Sequence, residues 1–174
     1  MISEKMEKRL NQAINLEFNS SYLYLSMAAY CETVGLDGFA NWMRAQASEE
    51  WQHGMKMFEY INDQQAQVKL DKIDAPKQKW DSIHEVFEET LSHERKVTAT
   101  YNELMAFASE TNDWATQSFL QWYVDEQIEE EATAAGILDK LNMVKDRPQG
   151  VLYMDSHVGK RAWTPATGGG TAGE

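Results

Sequence analysis

The feature that most restricts what this chain can fold into is an internal repeat. Glu94 lies 77 positions after Glu17, and the same separation carries Tyr24 onto Tyr101, Glu49 onto Glu126, Glu50 onto Gln127 and His53 onto Glu130. Apolar positions obey it too: Met6 matches Ile83, Leu10 matches Phe87, Ile14 matches Leu91 and Trp42 matches Phe119. One unit written twice predicts two copies of one supersecondary element sharing a core.

The unit is a helical hairpin. From Ser3 to about Thr33, Met6, Leu10, Ile14, Phe18, Ser21, Leu25 and Ala28 fall at spacings of three and four, the mark of an amphipathic helix. Ser3 reads as its N-cap and Gly35 as its stop. A second helix is predicted from an Asp37 cap through Phe39, Trp42, Met43, Gln46, Glu50, His53 and Met57 to about Gln64. The pattern lapses between Gln65 and Asp81, a stretch long enough to cross a bundle roughly 45 Å tall at about 3.3 Å per residue. A capping box, Ser82-Ile83-His84-Glu85, opens a third helix running to about Ser109. A fourth is predicted from Trp114 to about Lys145 and, past Pro148 and Gly150, a short fifth from Val151 to about Ala162. The expected architecture is all-α: a four-helix bundle (about 3–145) with a long crossover between helices two and three, and a short C-terminal helix (about 151–162). Residues 1–163 are expected to form one domain and 164–174 a flexible Gly-rich tail.

Within that bundle Glu17, Glu50, His53, Glu94, Gln127 and Glu130 fall on inward faces at mid-height. Glu50 and His53, three residues apart, turn by about 300° and project from nearly one face. Glu17 and Glu94 stand in phase with Ile14, Ser21, Leu91 and Thr98, so a solvated face does not account for them. Buried like charges must be protonated, paired or bound to cations, and no Lys or Arg shares the inward phase. Oxygen-rich ligation with one imidazole suits iron(II) or manganese, and the paired layout predicts two ions bridged by Glu50.

Composition narrows the function further. A formal charge of −12 opposes a nucleic-acid surface and attracts cations. The single Cys31 allows no intrachain disulfide and no Cys-x-x-Cys site. Charges at Glu4, Lys5, Glu7 and Lys8 stand where a signal peptide would be apolar, and no run reaches the roughly 20 residues of a membrane span. A soluble, cytoplasmic protein with no membrane or nucleic-acid partner is expected.

Glu17, Tyr24, Glu49-Glu50-x-x-His53, His93-Glu94-Arg95 and Asp125-Glu126-Gln127-Ile128-Glu129-Glu130-Glu131 together resemble the bacterial-type non-haem ferritins, from near the N-terminus to about Arg161. The resemblance implies an iron-storage protein that oxidises iron(II) with dioxygen or hydrogen peroxide at a di-iron ferroxidase centre and holds ferric mineral in a shell of 24 subunits. It implies a first site of Glu17, Glu50 and His53, and a second of Glu50, Glu94 and Glu130 with Gln127 nearby. A third iron site would use Glu49, Glu126, Glu129 and Glu130, with Tyr24 and Trp122 as aromatic neighbours of the centre.

Departures from the family's symmetric members matter as well. Gln127 and Glu130 stand where a full repeat would place Glu and His, which weakens the second site and favours iron that leaves as product. Trp51 occupies the position of the haem-ligating Met of bacterioferritins, so haem is not expected. Gln117 and Leu120 fall where animal ferritins line a pore with carboxylates, leaving Glu110 or Asp113 as alternatives at a pore mouth. The alternative readings are a di-iron redox enzyme that keeps its metals, a DNA-protecting mini-ferritin and a metal-free bundle.

Overall fold

A computed structural model describes residues 1–145 and 147–162; the expected tail, 164–174, lies outside them. Five helices follow in order: α1 (Glu4–Thr33), α2 (Asp37–Asp63), α3 (Ile83–Glu110), α4 (Trp114–Val144) and α5 (Pro148–Val158). The chain is all-α, a four-helix bundle with a short fifth helix packed on α2 and α4.

Each bundle helix begins where local chemistry supplies an acceptor for its free N–H groups. The Ser3 hydroxyl accepts from the Met6 N–H at 3.2 Å, Ser82 from Glu85 at 3.2 Å and Asp113 from Thr116 at 3.1 Å. The capping box at Ser82 closes one residue early, because the Glu85 carboxylate accepts from the Asp81 N–H at 2.6 Å. Two expected boundaries differ. Asp37 is the first helical residue of α2 rather than its cap, and the acceptor comes from α5 instead: Asp155 Oδ1 takes the Phe39 N–H at 2.8 Å. The fifth helix begins at Pro148, not Val151, since a proline's fixed φ and missing N–H suit a helix's first position.

The segment between α2 and α3 runs along α1. Asn11 donates to the Gln67 carbonyl at 2.9 Å and accepts from the Lys69 N–H at 2.6 Å; farther along, Asn15 reaches the Lys72 carbonyl at 3.2 Å and Ser26 the Lys77 carbonyl at 2.6 Å. These bonds rise along α1 in step with the sequence, so the segment is a full-length crossover. It sets α3 antiparallel to α1, as the contacts Tyr24 to Glu94 and Tyr101 to Glu17 require.

Two apolar clusters fill the bundle. One gathers Tyr24, Met27, Cys31, Phe39, Trp42, Phe87, Leu141 and α5's Met154 and Val158; the other holds Met6, Leu10, Ile14, Met57, Ile61, Leu104, Leu120 and Tyr123. Leu120, expected at a pore, is fully buried, and Asp113 is occupied in capping α4.

Asp155 ties the short helix to the bundle, so Asp155→Ala removes a cap. The expected loss is about 1 kcal/mol, a melting point lower by roughly 2–4 °C in a thermal scan, with Asp155→Asn close to native.

Candidate metal centre

Between the clusters α1 contributes Glu17, α2 contributes Gln46, Glu50 and His53, α3 contributes Glu94, and α4 contributes Gln127 and Glu130, all buried. Close approach of α1 and α2 is required here, and Gly54 permits it. A Cβ at Gly54 would fall 2.6 Å from the Phe18 ring, so any larger residue would push Glu17's helix away from His53. The Ser21 hydroxyl fastens the same two helices by donating to the Ala47 carbonyl at 2.7 Å.

Glu17, Glu50 and His53 form the tightest group. His53 Nδ1 stands 3.7 Å from Glu17 Oε2 and 3.7 Å from Glu50 Oε2, too far for hydrogen bonds, and one ligand atom from each residue lies within 4.8 Å of the others. Among the described residues Glu17 Oε2 is buried with no hydrogen-bond partner. An orphaned buried carboxylate oxygen is costly, and a cation placed among these three groups would satisfy it. Among the described residues no second such group of three is present.

Glu94 and Glu130 lie outside this group of three but feel the charge of Glu50. Tyr24 donates its hydroxyl to Glu94, whose other oxygen accepts from Gln127 Nε2 at 3.1 Å. Tyr101 makes the equivalent bond to Glu17, so each tyrosine of the repeat serves the glutamate of the other copy. Glu130 accepts from Gln46 Nε2 at 2.6 Å, and Glu50 from the same nitrogen at 3.3 Å. The Trp122 ring meets the His53 imidazole edge to face at 5.2 Å, with Lys56 Nζ 3.3 Å above the indole. Of the residues expected at a third site only Glu130 is buried in this cluster. Glu49 pairs with Arg161, Glu126 is half-buried and Glu129 is exposed.

Three participants have no role in the sequence reading. Tyr101 carries a signal, its repeat relation to Tyr24. Gln46 shows only an inward phase. Arg161 shows none, because it enters from beyond α5, and it meets Gln46 and Glu49 rather than the buried glutamates. Its Nη1 donates to Gln46 Oε1 at 2.7 Å while Nη2 pairs with Glu49.

The electrostatics favour protonated acids at three of the glutamates. Burial, reinforced by the charge on Glu50, raises Glu94 to about 7 and Glu130 to about 8. Burial also raises Glu50 to about 8 against the pull of His53. Burial opposes a charge on His53, but Glu17 and Glu50 outweigh it and lift the imidazole to about 11. Burial, then the adjacent carboxylates, keep the Tyr24 and Tyr101 hydroxyls protonated.

All four raised groups bind protons more tightly in the folded chain than in the unfolded one. Their contribution is whole below the unfolded pKa, about 4.3 for a carboxylate, and is lost as pH rises through 7 and 8 for the glutamates and toward 11 for His53. The half-buried Glu7 and Glu85, held low by hydrogen bonds from Lys69 and Lys77, have the opposite sign and act at more acid pH. The melting temperature of metal-free protein in chelator is therefore expected to fall between about pH 5 and 8, less steeply in Glu94→Gln. A rise over that window would contradict protonated Glu50, Glu94 and Glu130 in the metal-free centre.

Comparison with known proteins bears on the same fold and centre. Residues 7–144 match the family model described as a ferritin-like domain. The chain is 44% identical over 161 residues to a bacterial non-heme ferritin of Bacteroides fragilis, covering 92% of this chain and 100% of that one. It is 42% identical over 159 residues to a probable bacterial non-heme ferritin-like protein of Haemophilus influenzae, covering 91% and 96%. Among solved structures, an open pore ferritin of the archaeon Archaeoglobus fulgidus superposes with a TM-score of 0.92 at 45% identity, over 93% of this chain and 100% of that one. Agreement in sequence and backbone over nearly its whole length makes this chain a member of the bacterial non-haem ferritin family.

Proposed function

We propose that this chain is the subunit of an iron-storage ferritin that oxidises iron(II) inside each bundle and keeps the ferric product in a hollow cytoplasmic shell of 24 copies. Residues 1–163 would be its single domain. The observation that carries this reading is Glu17 Oε2, buried and unpartnered beside Glu50 and His53.

In this reading the first iron(II) is held by Glu17, Glu50 and His53. The second is held by Glu50, Glu94 and Glu130, with Gln127 alongside. Carboxylate oxygens stabilise iron(III) more than iron(II), which favours loss of the electron. Two iron(II) ions supply two electrons: with two protons they reduce dioxygen to hydrogen peroxide, or hydrogen peroxide to two waters. Glu50, Glu94 and Glu130, protonated in the absence of metal, release protons as iron binds. The hydroxyls of Tyr24 and Tyr101 hold one oxygen each of Glu94 and Glu17; the second oxygen of Glu17 is left to the metal, while that of Glu94 is shared with Gln127. Without an imidazole opposite His53, the second site grips less firmly, which favours onward movement of iron to Glu49, Glu126 and Glu129. The di-iron redox enzyme that retains its metals gains no support from this lopsided ligand set.

Aerobic iron(II) oxidation by Glu50→Ala or Glu94→Ala is expected to be slower than native by at least about tenfold, approaching the buffer rate. Native protein, with subunits of 19.9 kDa, should sediment near roughly half a megadalton and gain dense ferric content on loading. A monomer or dimer with no ferric gain would overturn storage.

A further inference from the structure

The segment after α5 lays a cation along one face of α2. Gly38, Asn41, Trp42, Gln46 and Glu49 recur on that face at helical spacing, and each meets the segment. A Cβ on Gly159 would fall 2.6 Å from Gly38 Cα, so the two backbones touch. Asn41 Nδ2 donates to the carbonyls of Gly159 at 3.2 Å and Arg161 at 3.0 Å. The Arg161 guanidinium then sits 4.9 Å from the centre of the Trp42 ring, donates to Gln46 Oε1 at 2.7 Å and closes on Glu49.

Two consequences follow from the donor inventory. Arginine offers only donors, so its bond to Gln46 Oε1 fixes the amide with its NH2 toward Glu50 and Glu130 and its oxygen away from them. The other branch of the fork covers the Glu49 carboxylate, which a departing metal ion would need. We propose that Arg161 is a tethered cation that occupies Glu49 in place of a metal ion, and that an ion moving from the centre onto Glu49 must displace it. This rests on the ferroxidase reading, and it makes Arg161 a positioning residue that withholds the third site until the first two are filled. The order has a physical basis. Two ions in the centre add positive charge beside Arg161 and weaken its hold on Glu49, whereas an empty centre, rich in carboxylates, strengthens it.

Zinc, which is redox-inert, separates this binding from catalysis. Calorimetric titration of native protein with zinc(II) is expected to show uptake at the centre, abolished in Glu50→Ala, and a weaker late phase belonging to Glu49. In Arg161→Leu that late phase should tighten about fivefold, the scale of one partly exposed ion pair, and Arg161→Leu with Glu49→Gln should lose the gain. Arg161→Lys keeps the charge without the two-branched head and is expected to fall between native and Arg161→Leu. A late phase in Arg161→Leu within about twofold of native, an equal gain in the double variant, or tighter binding in Arg161→Lys than in Arg161→Leu would overturn the role of Arg161. No uptake at the centre of native protein would instead overturn the ferroxidase reading beneath it.

Discussion

Four glutamates and a histidine buried within one helical bundle are a cost that every other part of the structure must accommodate. Hydrogen bonds meet part of it: two tyrosines and two glutamines donate to the carboxylates, and Arg161 orients one of those glutamines. Protonation meets another part, as the raised pKa values of Glu50, Glu94 and Glu130 record. What is left over is concentrated at Glu17 Oε2, beside His53 and Glu50. A bundle built only for stability would fill that space with apolar side chains. A cation beside Glu17, Glu50 and His53 would offset that residual cost.

The two apolar clusters explain how such a centre is tolerated. Each packs one end of the bundle, so the polar layer is clamped between well-packed regions rather than opening the fold. Gly54 and Ser21 set the spacing of α1 and α2 at that level, and the crossover bonds along Asn11, Asn15 and Ser26 fix α3 antiparallel to α1. That arrangement lets Tyr24 reach Glu94 and Tyr101 reach Glu17. The geometry of the centre is thus a consequence of the repeat, and its asymmetry is a consequence of Gln127 and Glu130 departing from it.

Most of this was legible in the order of residues. The spacing of Met6, Leu10 and Ile14 marks α1, the recurrence of Glu17 and Tyr24 as Glu94 and Tyr101 marks the second hairpin, and the in-phase glutamates mark the centre. What escaped were contacts whose partner lies on an element with its own independent pattern. Asp155 caps α2 and Arg161 grips Glu49 from beyond Pro148, and nothing in the periodicity of α5 says which helix it will meet. Leu120 was misplaced for a related reason: helical phase tells which side of α4 it shares with Tyr123 and Gln127, but the resemblance to animal ferritins placed it at a pore. Tyr101 could have been assigned from the repeat alone, since a two-fold relation that sends Tyr24 to Glu94 sends Tyr101 to Glu17.

The central claim is that the buried carboxylates are arranged around metal ions. Anomalous diffraction at the iron edge, from metal-free crystals soaked in iron(II) without oxygen, tests it most directly. The account predicts two peaks inside each bundle, one bounded by Glu17, Glu50 and His53 and the other by Glu50, Glu94 and Glu130. Iron confined to exposed carboxylates, with no peak between the helices, would contradict it.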